Sequence, residues 1–373
     1  MRITFVAGTL ALGGVERLVT NWCQSFSGKH ECSVVCLLGK RGAFVPALEK
    51  MGVRVMDVPH SSRHPKFVLK LAKVFNSLKS EVVHSQCAWS LPQQVLAARL
   101  GGAKAFVVTV HSTYRAASIA SRLRQRAAVN VIRRGVNRFV GVSEAVTVHT
   151  SRHLGLRDNE ITTIHNGIDT RVFSPSKQVR DTMRRSLNID DDVLVGLAVG
   201  GLSRQKDHVT LLHGLSRFVS EKPGRAILFL IVGEGPEYSR LVALRDALAL
   251  KPCVHFSGAR QDAPELMAAS DIFLHTATRE GFGLAVAEAH ATGLPVVASN
   301  VGGVGEIVRD GVSGVLFPAG DSAAVAQSIE KVLSAPDQGK AMGLKGREWV
   351  TANFEISQCA ERYEQLYYQV MRD

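Results

Sequence analysis

The stretch DIFLHTATREGFGLAVAEAHATGLPVVASN, residues Asp271–Asn300, alternates between two kinds of local pattern. A short apolar run that suits a buried strand leads into a loop with two glycines. The apolar helical run LAVAEAHATG follows, and then the β-branched run LPVVASN. Strand, helix and strand in that order predict a βαβ unit, in which a helix joins two parallel strands.

Short β-branched runs alternate with helical patterns along almost the whole chain. This rhythm predicts an α/β fold with parallel, doubly wound sheets and about six strands in each half. The alternation is interrupted near IHNGIDTRVFSPSKQ, where an Asn-Gly turn and a proline end one sheet. We therefore place a domain boundary near Thr170, which gives domains 1–170 and 171–355, and we interpret residues 356–373 as a terminal helix.

The net charge of +12 is distributed unevenly along the 373 residues. Residues 1–170 contain 23 Lys/Arg and 9 Asp/Glu, a balance of +14, whereas residues 171–373 contain 22 and 24, a balance of −2. A basic half suits an anionic partner such as nucleic acid, phospholipid headgroups or a phosphorylated substrate. The six cysteines show no CxxC pair and no metal-ligand spacing, so we interpret them as reduced thiols of a cytoplasmic protein.

The first glycine loop, VAGTLALGGVER, follows the first predicted strand and opens a helix. Gly8, Gly13 and Gly14 permit a close approach to the helix N-terminus, whose bare N–H groups attract anions. The loop is not a GxGxxG, and no acidic residue for a ribose ends the second strand, so a dinucleotide dehydrogenase is disfavoured. No Gly-Lys-Ser/Thr follows, so the loop is not a P-loop either. An ordinary strand-to-helix turn remains the alternative.

Further loops lie after predicted strands of the second half. AVGGLSRQKDH places Arg204 and Lys206 where a cation can neutralise a phosphate oxygen, although a solvated basic turn is the alternative. HFSGARQD places Gly258 and Arg260 after another strand, and LIVGEGPE contributes a Gly-Glu-Gly turn. Open α/β sheets bind ligands at the carboxyl ends of their strands, so we expect these loops to share a site.

Two glutamates, Glu280 and Glu288, lie eight residues apart in the opening stretch. Glu280 follows a strand beside the helix N-terminus formed around Gly283, and Glu288 lies inside an almost wholly apolar helix. A helix N-terminus suits an anion, whereas carboxylates accept hydrogen bonds from hydroxyls. The pattern fits a ligand with a phosphate core and hydroxyls on both sides, which is a nucleotide sugar. The alternative for Glu288 is a partly exposed helix residue without a ligand.

A series of motifs occurs in chain order: GGVER, VH at Val110–His111, GVS, IHNGID, GGLSRQKDH, GEGPE, FSGARQD and EGFGLAVAE. In these motifs the chain resembles, over nearly its whole length, the GT-B glycosyltransferases of family GT4, the retaining glycosyl group-1 transferases. The EGFGLAVAE block is the most specific of them. The resemblance implies an α/β GT-B fold, in which two Rossmann-like domains with parallel sheets face an interdomain cleft and a C-terminal helix crosses back to the first domain.

The resemblance also implies roles for individual residues. Glu280 would contact hydroxyls of the donor sugar, Glu288 the ribose diol and Lys206 the diphosphate. Gly14 would approach the phosphate or sugar through its backbone, and His111 would lie by the reacting sugar. The catalytic set is His111, Glu280 and Lys206, and the donor-binding set is Gly14, Arg204, Lys206, Gly258, Arg260, Glu280, Gly281, Phe282, Gly283, Leu284 and Glu288.

The chain departs from the family pattern at two positions. The family commonly has Gly-Arg-Leu where this chain has Gly200-Gly201-Leu202, so the usual diphosphate arginine is missing and Arg204 is the nearest replacement. Gly305 stands where the family commonly has a proline. The first departure makes Lys206 the principal cation expected at the diphosphate.

Glycosyl transfer builds negative charge on the departing phosphate. We expect Lys206 and the backbone amides of Phe282–Leu284 to stabilise that charge without a metal ion, because the sequence contains no metal-ligand pattern. Retention of configuration is what the resemblance implies. His111 either orients the sugar or relays a proton, and a histidine that merely ends a strand is the alternative. No cofactor is expected besides the UDP- or GDP-linked donor.

Two basic segments of the first half bear on the acceptor. Tyr114–Phe139 contains seven arginines and no acidic residue, and Arg63–Ser80 carries apolar residues at helical spacing, namely Phe67, Leu71, Val74 and Leu78. Basic amphipathic helices are typical of membrane surfaces, although ordinary helices on a sheet also have an inward apolar face. With the charge of +14, we favour peripheral binding to the inner face of the cytoplasmic membrane and a lipid-linked or glycan acceptor in bacterial surface polysaccharide or glycolipid assembly.

Two other function classes are compatible with parts of the sequence. A nucleotide-sugar epimerase has the same architecture and needs no acceptor. A nucleic-acid-binding regulator would account for the basic half, but the sequence has no helix-turn-helix pattern and no aromatic-rich basic patch.

Overall fold

The computed structural model describes residues 1–11, 13–39, 42–59, 66–87, 90–113, 132–221 and 224–372. The chain forms two compact units. The first consists of Met1–Gly167 together with Ile356–Asp373, and the second consists of Ile168–Glu355. The change of unit between Gly167 and Ile168 lies three residues before the boundary that the sequence suggests near Thr170.

The first unit is built on a seven-stranded sheet whose neighbouring strands are all parallel. The strand order is β3-β2-β1-β4-β5-β6-β7, so the predicted doubly wound α/β arrangement is confirmed. Its strands are β1 (Arg2–Ala7), β2 (Glu31–Cys36), β3 (Arg54–Asp57), β4 (Val82–Ser85), β5 (Ala105–Val110), β6 (Arg138–Gly141) and β7 (Ile161–Thr163). Its helices are α1 (Gly14–Phe26), α2 (Val45–Lys50), α3 (Lys66–Ser77), α4 (Leu91–Leu100), α5 (Glu144–Leu154) and the terminal α14 (Ile356–Val370).

The two edge strands of this sheet, β3 and β7, are the ones without a clear signal in the sequence. They contain only four and three residues. An edge strand pairs on one side and is often short, so it does not need a long apolar run. The central β1 is the opposite case, because it pairs with both β2 and β4 and five of its six residues are buried.

The terminal helix α14 packs against α1 inside the first unit. The rings of Trp22 in α1 and Tyr363 in α14 lie edge to face with centroids 4.9 Å apart. A Cβ on Gly167 would lie 2.6 Å from the Cα of Ile356, so the chain approaches the start of α14 at a distance that only glycine permits. The last segment of the sequence is therefore part of the core of the first unit.

A buried polar network ties α14 to the sheet. Nδ1 of His84, on β4, lies 2.6 Å from the hydroxyl of Tyr367, and its Nε2 lies 2.7 Å from Oγ1 of Thr109. That threonine oxygen lies 2.9 Å from the hydroxyl of Tyr363. Burial, aided by nearby His111, lowers the pKa of His84 well below its ordinary value, so the network is built around a neutral imidazole.

The second unit has a six-stranded parallel sheet in the order β10-β9-β8-β11-β12-β13. Its strands are β8 (Leu194–Val199), β9 (Ile227–Val232), β10 (Val254–Phe256), β11 (Ile272–His275), β12 (Val296–Ser299) and β13 (Gly314–Phe317). Its helices are α6 (Lys177–Ser186), α7 (His208–Glu221), α8 (Tyr238–Ala247), α9 (Ala263–Ala269), α10 (Leu284–Ala291), α11 (Val304–Ile307), α12 (Ser322–Leu333) and α13 (Pro336–Asn353). The strand order reverses between β8 and β11, and ligands bind at such a switch point in open α/β sheets.

Helix α7 follows the loop after β8, at the switch point of the sheet. This helix packs closely on α12. A Cβ on Gly214 of α7 would lie 2.5 Å from Cγ1 of Val325 in α12. Leu215 and Ile329 are both fully buried beside this approach. Tight packing of this kind fixes α7 against the sheet and so fixes the end of the loop that precedes it.

Within the described part of the chain, no helix combines the length and the apolar character that crossing a bilayer requires.

The polar network of the first unit can be tested by removing one hydroxyl. Tyr367→Phe keeps the ring but leaves Nδ1 of His84 buried without its partner, so we expect the free energy of unfolding to fall by about 1–3 kcal/mol. Urea denaturation followed by tryptophan fluorescence measures this change. Tyr368→Phe is the matched control, since this tyrosine lies on the same helix with 45% exposure. Equal stability of the two variants would contradict a stabilising role for the network.

Candidate active site

The loops after β8 and β9 lie in direct backbone contact at the carboxyl edge of the second sheet. The amide of Leu202 donates to the carbonyl of Glu234 at 2.9 Å, and the amide of Gly233 donates to the carbonyl of Gly258 at 2.8 Å. Gly233 has φ 148°, and a Cβ there would lie 1.9 Å from the carbonyl oxygen of Gly200. This part of the edge therefore presents bare backbone, which a phosphate-bearing ligand can approach closely.

Lys206 and Glu280 meet at the switch point between β8 and β11. Nζ of Lys206 donates to Oε2 of Glu280 at 2.5 Å, although the two residues are 74 positions apart. The side chains are 23% and 15% exposed. Oγ1 of Thr276 lies 3.1 Å from the carbonyl oxygen of Lys206 and 3.0 Å from that of Asp207, which ties this loop to the end of β11.

Glu280 is ionised despite its burial. Burial by itself raises the pKa of this carboxyl, but the contacts with His275 and Lys206 more than offset it and lower the pKa to about 2. The second carboxylate oxygen accepts a hydrogen bond from the amide of Gly281 at 3.3 Å. A buried, ionised carboxylate of this kind is a strong acceptor for hydroxyl donors.

Two histidines that the sequence analysis does not single out lie beside this pair. His275 is the last residue of β11, and its Nε2 lies 3.3 Å from Oε2 of Glu280. His208 is the first residue of α7, and burial, with lesser effects of His275 and Lys206, lowers its pKa to about 4. Both residues are 5% exposed. The only signal in the sequence is that each directly adjoins a predicted loop.

The turn from Gly281 to Leu284 leads into α10. Gly283 precedes the helix with φ 105°, and the amides that open a helix have no intrahelical partner. A Cβ on Gly302, which has φ 53°, would lie 1.8 Å from the carbonyl oxygen of Glu280. Phe282 is 2% exposed, and its ring packs edge to face on Phe354 with centroids 5.4 Å apart. The turn is thus held by packing on one side and by a close glycine contact on the other.

Glu288 lies within α10 and is 7% exposed. This burial does not fit the alternative of a partly exposed helix residue.

The two predicted arginines of this unit pair with other carboxylates. Nε of Arg204 lies 3.5 Å from Glu237, and its side chain is 87% exposed. Arg260 binds Asp262 through two hydrogen bonds of 2.8 and 2.5 Å, next to Gly258 with φ 66°. The structure therefore brings Lys206 and Glu280 together, whereas each arginine contacts a carboxylate near it in the fold.

The predicted residues of the first unit lie at the carboxyl edge of its own sheet. Gly14 is the first residue of α1, after β1, and His111 directly follows β5. Nε2 of His111 lies 2.8 Å from Oε1 of Gln86, a buried residue that follows β4 and that the sequence analysis missed. Burial lowers the pKa of His111 to about 4, so its imidazole is neutral at pH 7.

Metal sites in proteins are formed mainly by acidic, histidine and cysteine side chains. Across the parts of both units that the structure describes, no three of them gather as the ligands of a metal ion do.

Both units match models of glycosyltransferase families. Residues 12–172 match Glycosyltransferase Family 4, and residues 179–349 match Glycosyl transferases group 1. The chain is 28% identical, over 78% of its length, to N-acetyl-alpha-D-glucosaminyl L-malate synthase of Bacillus anthracis, of which 74% is covered. It is 25% identical, over 88% of its length, to UDP-Gal:alpha-D-GlcNAc-diphosphoundecaprenol alpha-1,3-galactosyltransferase of Escherichia coli, of which 83% is covered.

The fold of this chain is similar to that of a protein whose crystal structure is known. The Anabaena protein HepE, in complex with UDP and glucose, superimposes with a TM-score of 0.86 at 23% identity, and the match covers 98% of this chain and 99% of that one. The family matches and this fold agree with the parallel sheets and the switch-point loops. The chain belongs to the GT-B glycosyltransferases of family GT4 and is a glycosyltransferase.

Removing the cation of the Lys206–Glu280 pair should destabilise the second unit. Lys206→Met leaves a mostly buried carboxylate without its closest partner, so we expect the free energy of unfolding at neutral pH to fall by about 1–3 kcal/mol. Because the pKa of Glu280 then rises, the loss should diminish as the pH falls and this carboxyl is protonated. Urea unfolding at several pH values measures both effects.

The control for this variant is Lys177→Met. Lys177 is 88% exposed and pairs with Asp181 at 2.8 Å on the surface of α6. A surface ion pair contributes little to stability, so this variant should unfold close to wild type. A loss equal to that of Lys206→Met would show that the switch-point pair is no stronger than an ordinary surface pair.

Proposed function

We propose that the protein is a retaining, metal-independent glycosyltransferase that moves a sugar from a UDP- or GDP-linked donor to a lipid-linked or glycan acceptor in bacterial surface polysaccharide or glycolipid assembly. The observation that carries the proposal is the 2.5 Å pairing of Lys206 with Glu280 near the N-terminus of α10. A cation, a helix N-terminus and a hydroxyl-accepting carboxylate occur together there. A sugar attached to a diphosphate needs these three groups.

The diphosphate is assigned to Lys206 and to the amides that open α10. When a donor binds, its phosphate oxygens compete with Glu280 for Nζ of Lys206. The developing negative charge of the leaving group is then stabilised by this ammonium group and by the helix N-terminus. These positive groups can take the part that a metal ion plays in other transferases, which supports metal independence.

The two glutamates are assigned to hydroxyl groups on either side of the diphosphate. Glu280 is ionised and accepts hydrogen bonds from the donor sugar, and Glu288, on α10, accepts them from the ribose diol. Hydrogen bonds to charged groups contribute about 1.5–3 kcal/mol each. The assignment of Glu288 to the nucleoside and of Glu280 to the sugar predicts different effects when each is removed.

The relatives indicate which donors to test first. The name of the E. coli relative includes UDP-Gal, and the Anabaena structure contains UDP and glucose. Uridine nucleotides are therefore the first choice for this chain, and guanosine nucleotides are the comparison.

His111 and Gly14 of the first unit keep the parts that the family resemblance implies. His111 is neutral at pH 7 and is oriented by Gln86, so it can donate or accept a hydrogen bond. We assign it to orienting the reacting sugar or relaying a proton, and we assign Gly14 to a backbone approach to the phosphate or sugar. Retention of configuration is proposed from the family resemblance.

The proposal of peripheral membrane binding rests on charge. Of the predicted apolar face of α3, Phe67 and Leu71 are buried within the first unit, so this face is not available to a bilayer. The exposed side of the helix carries Lys66, Lys70 and Lys73. Residues 114–131, which include much of the basic segment Tyr114–Phe139, lie outside the described residues. We propose that the α3 lysines attract the anionic inner face of the cytoplasmic membrane.

Donor binding distinguishes the two glutamates. Glu288→Ala should weaken nucleoside-diphosphate binding at least about tenfold, because a charge-assisted hydrogen bond to the ribose is lost. Glu280→Ala should lower turnover while leaving nucleoside-diphosphate binding within about threefold of wild type, because the sugar contact is lost. Calorimetry with UDP and GDP, and release of nucleoside diphosphate from a panel of nucleotide sugars, measure these effects.

Exposed Glu221→Ala, at the end of α7, is the control and should behave as wild type in both assays. Normal binding and turnover in both Glu280→Ala and Glu288→Ala would contradict the assigned roles. If the protein forms an epimer of the donor, rather than free sugar or a transfer product, the result would contradict a transferase and support an epimerase.

Membrane binding is tested by flotation on vesicles. Wild type should float with vesicles that contain anionic phospholipid and not with neutral ones. Replacing Lys66, Lys70 and Lys73 by Gln should weaken the affinity for anionic vesicles on the order of a hundredfold, since each lysine near the surface contributes about 1 kcal/mol. Equal recovery on neutral and anionic vesicles would contradict charge-driven binding. A control with Gln at three exposed lysines of the second unit should float as wild type does: Lys177, Lys251 and Lys340.

A further inference from the structure

The imidazole of His275 has a buried nitrogen without a formed hydrogen bond. Its Nε2 lies 3.3 Å from Oε2 of Glu280, but the alignment is not that of a hydrogen bond, and no other described atom is its partner. A buried polar atom in this state is uncommon in native proteins and calls for an explanation. The side chain of His275 is only 4% exposed and its Nε2 is buried, so bulk water does not contact this nitrogen.

Another buried histidine of the same unit shows the contrast. Nδ1 of His290 lies 3.2 Å from the carbonyl oxygen of Leu294, and its Nε2 lies 3.3 Å from Oγ of Ser313. Both ring nitrogens are thus satisfied, as expected for a histidine with a purely structural part. His275 differs because its nitrogen points to a residue of the candidate site.

Lys206 and His275 both approach the same oxygen of Glu280. Nζ of Lys206 occupies Oε2 of Glu280 at 2.5 Å, and the amide of Gly281 donates to Oε1. Nε2 of His275 is therefore next to an oxygen that a stronger donor already holds. Any ligand that draws Lys206 away leaves that oxygen to His275.

We propose that His275 is a positioning residue, which takes over Oε2 of Glu280 when Lys206 turns to the donor diphosphate. The inference rests on the proposed function, since it takes Lys206 as the diphosphate ligand. The N–H of His275 then donates to the carboxylate and keeps it oriented and ionised for the sugar hydroxyls. Without this second donor, the Glu280 carboxylate would have no side-chain donor once Lys206 binds the diphosphate.

The charged and titratable groups that face His275 are Lys206 from the loop before α7, His208 from α7, and Glu280 from the loop after β11. Burial lowers the pKa of His275, the contact with Glu280 raises it, and Lys206 lowers it. The imidazole is therefore neutral in the ligand-free protein and donates through one nitrogen only. When phosphate neutralises Lys206, the effect by which its positive charge lowers the pKa of His275 is removed.

Substitutions at His275 test this role in turnover. His275→Leu should lower kcat about tenfold or more, with the Kd for nucleoside diphosphate within about threefold of wild type. His275→Gln should recover most of the loss, because the amide nitrogen of glutamine can donate from nearly the same place as Nε2. His255→Leu, an exposed histidine of β10, is the matched control and should behave as wild type.

The pH dependence separates positioning from general damage to the fold. The contact with His275 is among the causes that lower the pKa of Glu280, so this pKa rises in His275→Leu. The carboxylate is the active form, so a higher pKa moves the acid limb of the rate profile to higher pH. The acid limb of the rate profile of His275→Leu should therefore lie at higher pH than the acid limbs of wild type and His275→Gln.

A titration that does not need turnover completes the test. Glu280 is followed by NMR in UDP-bound protein with ¹³C-labelled glutamate, and its signal is assigned from Glu280→Gln. A raised pKa of Glu280 in His275→Leu and not in His275→Gln supports the inference. An unchanged carboxyl titration, or a loss of kcat that His275→Gln does not recover, overturns it. Failure of the wild type to release nucleoside diphosphate from any donor would instead be a failure of the proposed function.

Discussion

The burial of the Glu280 carboxylate is the constraint on which the candidate site depends. Removing an ionised carboxylate from water costs several kcal/mol unless partners compensate for it. Lys206 and His275 supply that compensation, and the pKa of about 2 shows that they more than offset the effect of burial. Both partners are available only because β8 and β11 are neighbours in the sheet and because Thr276 ties the loop of Lys206 to β11. The charge at the site is thus paired within the protein before any ligand arrives.

Close backbone contacts form the rest of this edge. The carbonyl oxygens of Gly200 and Glu280 each lie within 2 Å of the place where a Cβ on Gly233 or Gly302 would be. Side chains are therefore excluded from these positions, and the loops can offer amides to a ligand without steric hindrance. The close contacts and the paired charge have one consequence in common, since both keep the loops in place in the absence of a ligand. Such preorganisation is what stabilisation of a phosphate leaving group requires.

In the first unit, buried polar groups attach the terminal helix α14 to the sheet. His84, Thr109 and two tyrosines of α14 form one network, so the end of the sequence is joined to the middle of a sheet formed from its beginning. Apolar packing such as Trp22 on Tyr363 contributes contact area, whereas the hydrogen bonds fix one position of the helix. On the outer side of the same unit, the apolar face of α3 is buried and its lysines are exposed. The exposed lysines, beside the exposed Leu69, are therefore what this helix presents to a partner.

The sequence by itself determined the α/β class, the parallel sheets and the loops of the site, because the period of apolar residues fixes the type of each element and glycines mark the strand ends. It also marked Lys206 and Glu280 individually. The edge strands β3 and β7 each bury only one residue, so they carry no such apolar signal. Only the tertiary structure decided that residues 206 and 280 touch, that Arg204 and Arg260 pair elsewhere, and that His275 faces Glu280. Those facts depend on which strands are adjacent, and adjacency in a doubly wound sheet does not follow the order of the chain.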